Sequence, residues 1–329
     1  MTWAEDRTLG GRVTVRDVLF DAEHRLSAVR VPSPNVDAAE LVAFALGTPR
    51  NRLFLQDAVT PDQKVRIEQL LARRLSRVPL QHIVGSAGFR HIEVAVGPGV
   101  FIPRPETELV TEAGIRELAL RPPGERVAVD LCAGTGAIAI SLGVESDGGQ
   151  VYAVELSDDA IGWTRRNVES HDVRIAARGS SVEVVHDDAT RVADPGHALA
   201  RLAGQVAVVV TNPPYIPDAM IPREPEVRDH EPSMALYGGS DGLGVIRGVL
   251  RTAAILLRPG GLIAIEHADV QGKAAGALGV PGVVADLRVD DELATMMNVP
   301  SGRPAFTDVA DRIDLNGLPR FTLARRVEG

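Results

Sequence analysis

Cysteine is almost absent: one thiol, Cys132, in 329 residues. A single cysteine rules out an intramolecular disulfide and any zinc site built from clustered cysteines. The eight histidines are scattered, with no H-x-x-x-H pair, so metal catalysis has no support and no metal ligand is assigned. No apolar run approaches a membrane span, and the opening Met1-Thr-Trp-Ala-Glu-Asp-Arg7 has no signal-peptide apolar core. A cytoplasmic protein, not bound to membrane, is expected. Positive charge is the scarcer sign: 35 Lys and Arg face 44 Asp and Glu, for a net charge of −9. That balance argues against direct gripping of nucleic acid through its phosphates. Internal repeats and low-complexity tracts are missing too. What remains is the composition of a globular protein long enough for two domains.

The charge is uneven. Residues 1–85 carry 12 basic and 10 acidic side chains, the remainder 23 and 34. The acidic part is therefore the candidate for chemistry. Residues 1–84 read as a small helical domain. Val13–Val29 has apolar residues at helical spacing, Ser33-Pro34 opens a second helix closed by Gly47, and Thr60-Pro-Asp-Gln63 has the form of a capping box starting a helix to about Arg77. Arg66, Arg73, Arg74 and Arg77 share a face of that helix. A solvated stripe is the favoured reading, docking of an acidic partner the other. Residues 85–105 read as a connector. Phe89–Val96 alternates and is followed by Gly97-Pro98-Gly99, the pattern of a β-hairpin.

From 106 to 329 strand and helix alternate, which predicts an α/β domain with a mostly parallel sheet. Strands are expected at 127–131, 151–155, 182–186, 206–210, 261–266, 283–288 and 321–325. Helices are expected at 136–144, 158–169, 241–257 and 269–278, and one from the Pro105 region to about Leu120. The connection 189–205 is longer than such a fold needs. Gly242-Leu-Gly244…Gly248 follows no strand and reads as a helix start with close packing.

Two turns at strand ends carry the chemistry. Val127–Leu131 leads into Cys132-Ala-Gly-Thr-Gly136, where glycines let backbone approach a ligand at a helix N-terminus. No Gly-Lys-Ser/Thr follows, so a phosphate cradle is not implied. The next strand ends in Glu155, placed to accept hydrogen bonds from ribose hydroxyls, and the third ends in His186-Asp-Asp188-Ala189, where an Asp suits the exocyclic amine of adenine. The second turn is Asn212-Pro-Pro-Tyr215, after the apolar run Val206–Val210. Two prolines stop the strand and fix a rigid turn. It offers the Asn212 side-chain carbonyl and a free backbone carbonyl, two acceptors at fixed spacing that suit a planar NH2 group.

The ordered set Asp130…Gly134-x-Gly136…Glu155…Asp188 resembles the Rossmann-like, class I S-adenosylmethionine-dependent methyltransferases, which implies a seven-stranded, mostly parallel sheet. With Asn212-Pro-Pro-Tyr215 added, the chain resembles an amino-methyltransferase. Its flanking blocks resemble those of the HemK/PrmC family of protein-(glutamine-N5) methyltransferases: Arg73-Arg74…Val78-Pro-Leu-Gln-His-Ile-Val-Gly85, Ile102-Pro-Arg-Pro-Glu-Thr-Glu108, Pro225–Pro232, Leu236–Leu243, Glu266 with Gln271-Gly272, and Asp314-Leu-Asn-Gly317…Arg320. The resemblance runs through nearly the whole chain from about Val13. Cys132-Ala133 departs from the usual Gly-Thr, and Ala189 from a frequent aromatic.

The resemblance implies methyl transfer from S-adenosylmethionine to the glutamine N5 of the Gly-Gly-Gln loop in class 1 peptide-chain release factors. The N-terminal helices would help hold that protein, and a monomer is expected. It assigns catalysis to Asn212, Pro213, Pro214 and Tyr215. It assigns the cofactor to Asp130, Cys132, Ala133, Gly134, Thr135, Gly136, Ile138, Glu155, Leu156, Asp188, Ala189 and Asn212, with Arg104, Glu106 and Thr107 from the connector. Asn212, Pro213, Tyr215 and Phe101 would meet the glutamine. For Arg104 and Glu106 an inter-domain salt bridge is an equal reading. The alternatives are an adenine-N6 methyltransferase of nucleic acid, or a cofactor-binding scaffold with a degenerate site.

Overall fold

The computed structural model describes residues 13–272 and 290–328. It divides into two compact units: the described residues up to Ser86 together with Arg223–His230, and Ala87–Pro222 with Glu231 onward. No helix among the described residues is long and apolar enough to cross a membrane.

The first unit is built on helices α1 (Val15–Ala28), α2 (Pro34–Leu46), α3 (Pro61–Leu75) and α4 (Leu80–Val84). Local chemistry sets their ends. Thr14 and Asp17 close a capping box on α1, as Thr60 and Gln63 do on α3. Pro34 and Pro61 stand at helix starts, and Gly47 ends α2 at φ +64°. Leu26, Leu41, Val42, Ile67 and Leu71 are almost fully buried between the helices. Arg74 and Arg77 depart from the solvated-stripe reading, while Arg66 and Arg73 are exposed as it expects. Arg74 is buried, its Nε 2.6 Å from Asp37 and its Nη1 2.8 Å from Glu226, and Arg77 Nη2 is 2.7 Å from the other Glu226 oxygen. Arg73 donates to the His82 carbonyl, and Arg66 lies over the Phe44 ring. Glu226 belongs to the short helix α8 (Pro225–His230), which follows the second strand-end turn in sequence.

The chain passes into the second unit within a hairpin, β1 (Ser86–Phe89) and β2 (Ile92–Ala95), whose Phe89, Ile92 and Val94 are buried in that unit's core. Helix α5 (Pro105–Ala119) follows. The sheet then takes β3 (Val127–Leu131), β4 (Gln150–Glu155), β5 (Ser181–His186), β6 (Val206–Thr211), β7 (Leu257–Glu266), β8 (Phe306–Ile313) and β9 (Pro319–Arg326), in the order β5-β4-β3-β6-β7-β9-β8. The first five run parallel, and β9 is antiparallel to both β7 and β8. Helices α6 (Ala137–Glu145), α7 (Asp158–Ala176) and α9 (Gly244–Leu256) connect the parallel strands, and Asp291–Met297 forms another helix before β8. Both faces are covered, so the strands read as continuous apolar runs: all six residues of β6 are buried. Alternate side chains feed two cores. Val208 and Val210 pack toward α5 and α6, Val209 toward α9.

The expected strand at 283–288 and most of the helix at 269–278 fall outside the described residues. Asp269–Gln271 is a single 3-10 turn. The long 189–205 connection packs as part of the core: Val192, Leu199 and Leu202 are buried beside the sheet, and Asp187 at its root is 3.0 Å from His197 within it. Strand β8 was not foreseen. It is an edge strand, mostly exposed, with a register shift where Asp308 adopts φ +52°.

Candidate active site

The strand order reverses between β3 and β6, and the carboxyl ends of the parallel strands open a crevice there. Register fixes what lines it. Leu131 pairs with Val154 and with Thr211, Glu155 with His186, and Thr211 with Ile265. Asp188, Glu155, the Cys132–Gly136 turn, Asn212 and Glu266 therefore stand in a row at the ends of five adjacent strands.

The turn after β3 is held from both sides. Ala133 donates its N–H to the Val154 carbonyl at 2.8 Å, and Thr164 Oγ1 donates to the Gly134 carbonyl at 2.6 Å. Asn167 donates to the carbonyl of buried Thr135. Cys132, Gly134 and Gly136 all have positive φ, at +71°, +55° and +81°. A cysteine in that region is strained, which is the physical reason a glycine suits position 132. Burial pushes its thiol pKa up, so it stays protonated. A Cβ on Gly134 would meet open space, so this turn faces the crevice with bare backbone. Ile138, in the first turn of α6, is buried in the core.

Asp130 ends fully buried under this turn. Its Oδ2 accepts the Ala139 N–H at 3.1 Å, while Oδ1 has no hydrogen-bond partner among the described residues. Burial raises its pKa to about 8. Glu155 accepts from the Gly134 and Ser157 N–H groups at 2.7 and 2.8 Å. Leu156 beside it is half exposed. Asp188 Oδ1 accepts from the Thr190 N–H and hydroxyl, leaving its other oxygen outside that turn. Ala189 is buried with Val192 and Leu199 in the sheet core.

The Asn212-Pro-Pro-Tyr215 turn is clamped by glycines from the block after it. The Ile216 N–H donates to the Leu236 carbonyl and the Gly238 N–H to the Ile216 carbonyl, and a Cβ at Gly238 would lie 2.6 Å from the Pro214 carbonyl oxygen. Gln271 donates to the Tyr215 carbonyl at 3.1 Å. Asn212 Nδ2 donates to Thr107 Oγ1 at 3.2 Å, and Thr107 donates to Glu266 at 2.6 Å. Among the described residues neither Asn212 Oδ1 nor the Pro213 carbonyl is taken by a protein donor. The Tyr215 hydroxyl lies 3.5 Å from Glu266, and burial raises its pKa. In the connector, the Arg104 guanidinium sits 4.8 Å from the Phe101 ring centroid and pairs with buried Glu231, which belongs to the same unit. The inter-domain salt bridge is thus replaced by one within the second unit. Glu106 lies in the first turn of α5 and interacts electrostatically with Glu266. The sequence reading missed the Thr107–Glu266 bond, whose partners are 159 positions apart.

Sheet order, glycine turn and acidic strand ends define a class I methyltransferase fold. Residues 17–85 match the PrmC N-terminal domain, and residues 92–221 match the methyltransferase small domain. The release factor glutamine methyltransferase of Streptomyces coelicolor is 44% identical over 309 residues, covering 93% of this chain and 95% of that protein. The enzyme of the same name from Mycolicibacterium smegmatis is 40% identical, covering 95% and 98%. A 4-amino-L-phenylalanine/4-methylamino-L-phenylalanine methyltransferase of Streptomyces pristinaespiralis is 41% identical over 209 residues, covering 63% and 66%. The chain belongs to the release factor glutamine methyltransferase family.

Proposed function

We propose that this enzyme methylates the side-chain N5 of the glutamine in the Gly-Gly-Gln loop of class 1 peptide-chain release factors, with S-adenosylmethionine as methyl donor. The observation that carries the reading is the pair of open acceptors, Asn212 Oδ1 and the Pro213 carbonyl, on a proline-stiffened turn at the centre of the crevice. The residues fit the donor. Glu155 keeps lone pairs for a ribose, the orphaned Asp130 oxygen lies under a turn with open backbone at Gly134, and Asp188 has an oxygen to spare. S-adenosylmethionine supplies a sulfonium-activated methyl group. Residues 1–84 would hold the protein substrate, 85–105 link, and 106–329 carry the chemistry.

A carboxamide nitrogen is a poor nucleophile because its lone pair is delocalised into the carbonyl. Each of the two acceptors takes one N–H of the substrate NH2, which fixes the group and aims its nitrogen. Such positioning removes about 7–11 kcal/mol of barrier in favourable cases. As nitrogen takes the methyl, its N–H groups become acidic and bind the acceptors more strongly, so the transition state is favoured over the ground state. One of those protons then leaves to water. Tyr215 supplies an aromatic wall beside the turn. The test is intact mass: an unmethylated release factor incubated with enzyme and S-adenosylmethionine gains one methyl, and its Gly-Gly-Ala variant gains none. Equal gain on both would overturn the reading.

A further inference from the structure

Resting on the reading of Asn212 as an acceptor, we propose that Thr107 and Glu266 are positioning residues that set the polarity of the Asn212 amide. Glu266 ends β7 fully buried, and as a carboxylate it only accepts. Its Oε2 takes the hydroxyl proton of Thr107 at 2.6 Å. That leaves only lone pairs on Thr107 Oγ1 for a third group. Asn212 Nδ2 lies 3.2 Å from this oxygen and donates to it. An amide held by its NH2 has its carbonyl turned away, which presents Oδ1 to the substrate. Flipping the amide would set two acceptors against each other at Thr107.

A protonated Glu266 reverses this chain. Its carboxyl donates to Thr107, the threonine hydroxyl turns to donate to the Asn212 carbonyl, and the amide NH2 then meets the substrate NH2, donor against donor. Burial pushes the Glu266 pKa up to about 7, against the Thr107 hydrogen bond and the Arg320 charge and with the help of Glu106. The Tyr215 hydroxyl lies 3.5 Å from it, and His267, the next residue in sequence, has its own pKa lowered by burial. The relay therefore switches near neutral pH, with the active polarity on the alkaline side.

Single-turnover methyl transfer to an unmethylated release factor tests this across a pH series, using wild type, Thr107→Val, Thr107→Ser and Glu266→Gln. Thr107→Val should lower the rate constant about tenfold or more while KM for release factor stays within about twofold, and Thr107→Ser should restore most of the rate. The wild-type rate should rise through about pH 7, and Glu266→Gln should lose that acid limb whichever way its amide faces. A Thr107→Val variant as fast as wild type, or an acid limb that persists in Glu266→Gln, overturns the relay while leaving the methyl-transfer reading intact. A wild-type enzyme that transfers no methyl to release factor at any pH overturns both.

Discussion

Glu155, at the tip of β4, accepts the backbone N–H of Gly134 at 2.7 Å. One carboxylate thus ties two neighbouring strand ends together while remaining open to a ribose. Glu155→Ala removes a charge-assisted bond on each side. S-adenosylmethionine affinity should fall by about 1.5–3 kcal/mol, readable by titration calorimetry. Glu155→Gln should fall between the two.

Asp130 gives a pH signature. Its pKa is raised from 3.8 to about 8 by burial, so the folded protein binds a proton there that the unfolded chain has released. Its contribution to stability is therefore greatest at low pH and declines as pH rises from about 4 to about 8. The slope is at most about 1.4 kcal/mol per pH unit. Asp130→Asn lacks this slope. The melting temperature of the variant minus that of wild type should increase across the window and level off above it.

The buried Arg74 guanidinium serves two carboxylates, Asp37 and Glu226. Arg74→Ala leaves buried Asp37 uncompensated, and the first unit should lose about 3–5 kcal/mol in denaturant unfolding. Arg73→Ala, removing one bond to a carbonyl, should cost far less. Burial raises the Glu226 pKa, but the Arg77 and Arg74 bonds outweigh it and hold the group at about 2. The stability that Glu226 adds is present above pH 4.5 and is lost as pH falls toward 2.

Gly238, like Gly242, brings the block after the Asn212–Tyr215 turn into close contact with it. Gly238→Ala would press a methyl against the Pro214 and Gly242 carbonyl oxygens, at 2.6 and 2.5 Å. The turn must shift. Turnover should fall by about 100-fold, while S-adenosylmethionine affinity, which the proposed site sets on neighbouring strands, changes little.

The parallel strands were legible because their apolar runs are buried on both faces and their ends carry glycine, proline and acids: 127–131 and 206–210 match β3 and β6 to within one residue. The position of the Asn212-Pro-Pro-Tyr215 turn at the end of β6 was legible because two adjacent prolines stop a strand. Strand β8 was not. Its exposed Thr307, Asp308, Arg312 and Ile313 show no clean alternation, and a bulge breaks its register. Arg74 and Arg77 looked solvated because their partners, Asp37 and Glu226, lie 37 and 149 positions from them. The same distance problem hid the bond between Thr107 and Glu266. A lone acid ending an apolar strand was visible, but its hold on Asn212 through Thr107 exists only once α5 lies beside β6 and β7.

The central claim is that Asn212 aligns an amide NH2 for methyl transfer. Asn212→Ala tests it most directly, with S-adenosylmethionine affinity measured by calorimetry and single-turnover methylation of release factor measured by mass. The predicted result is donor affinity within about threefold of wild type and a transfer rate lower by about 100-fold or more. A variant that binds the donor and transfers methyl at the wild-type rate would contradict it.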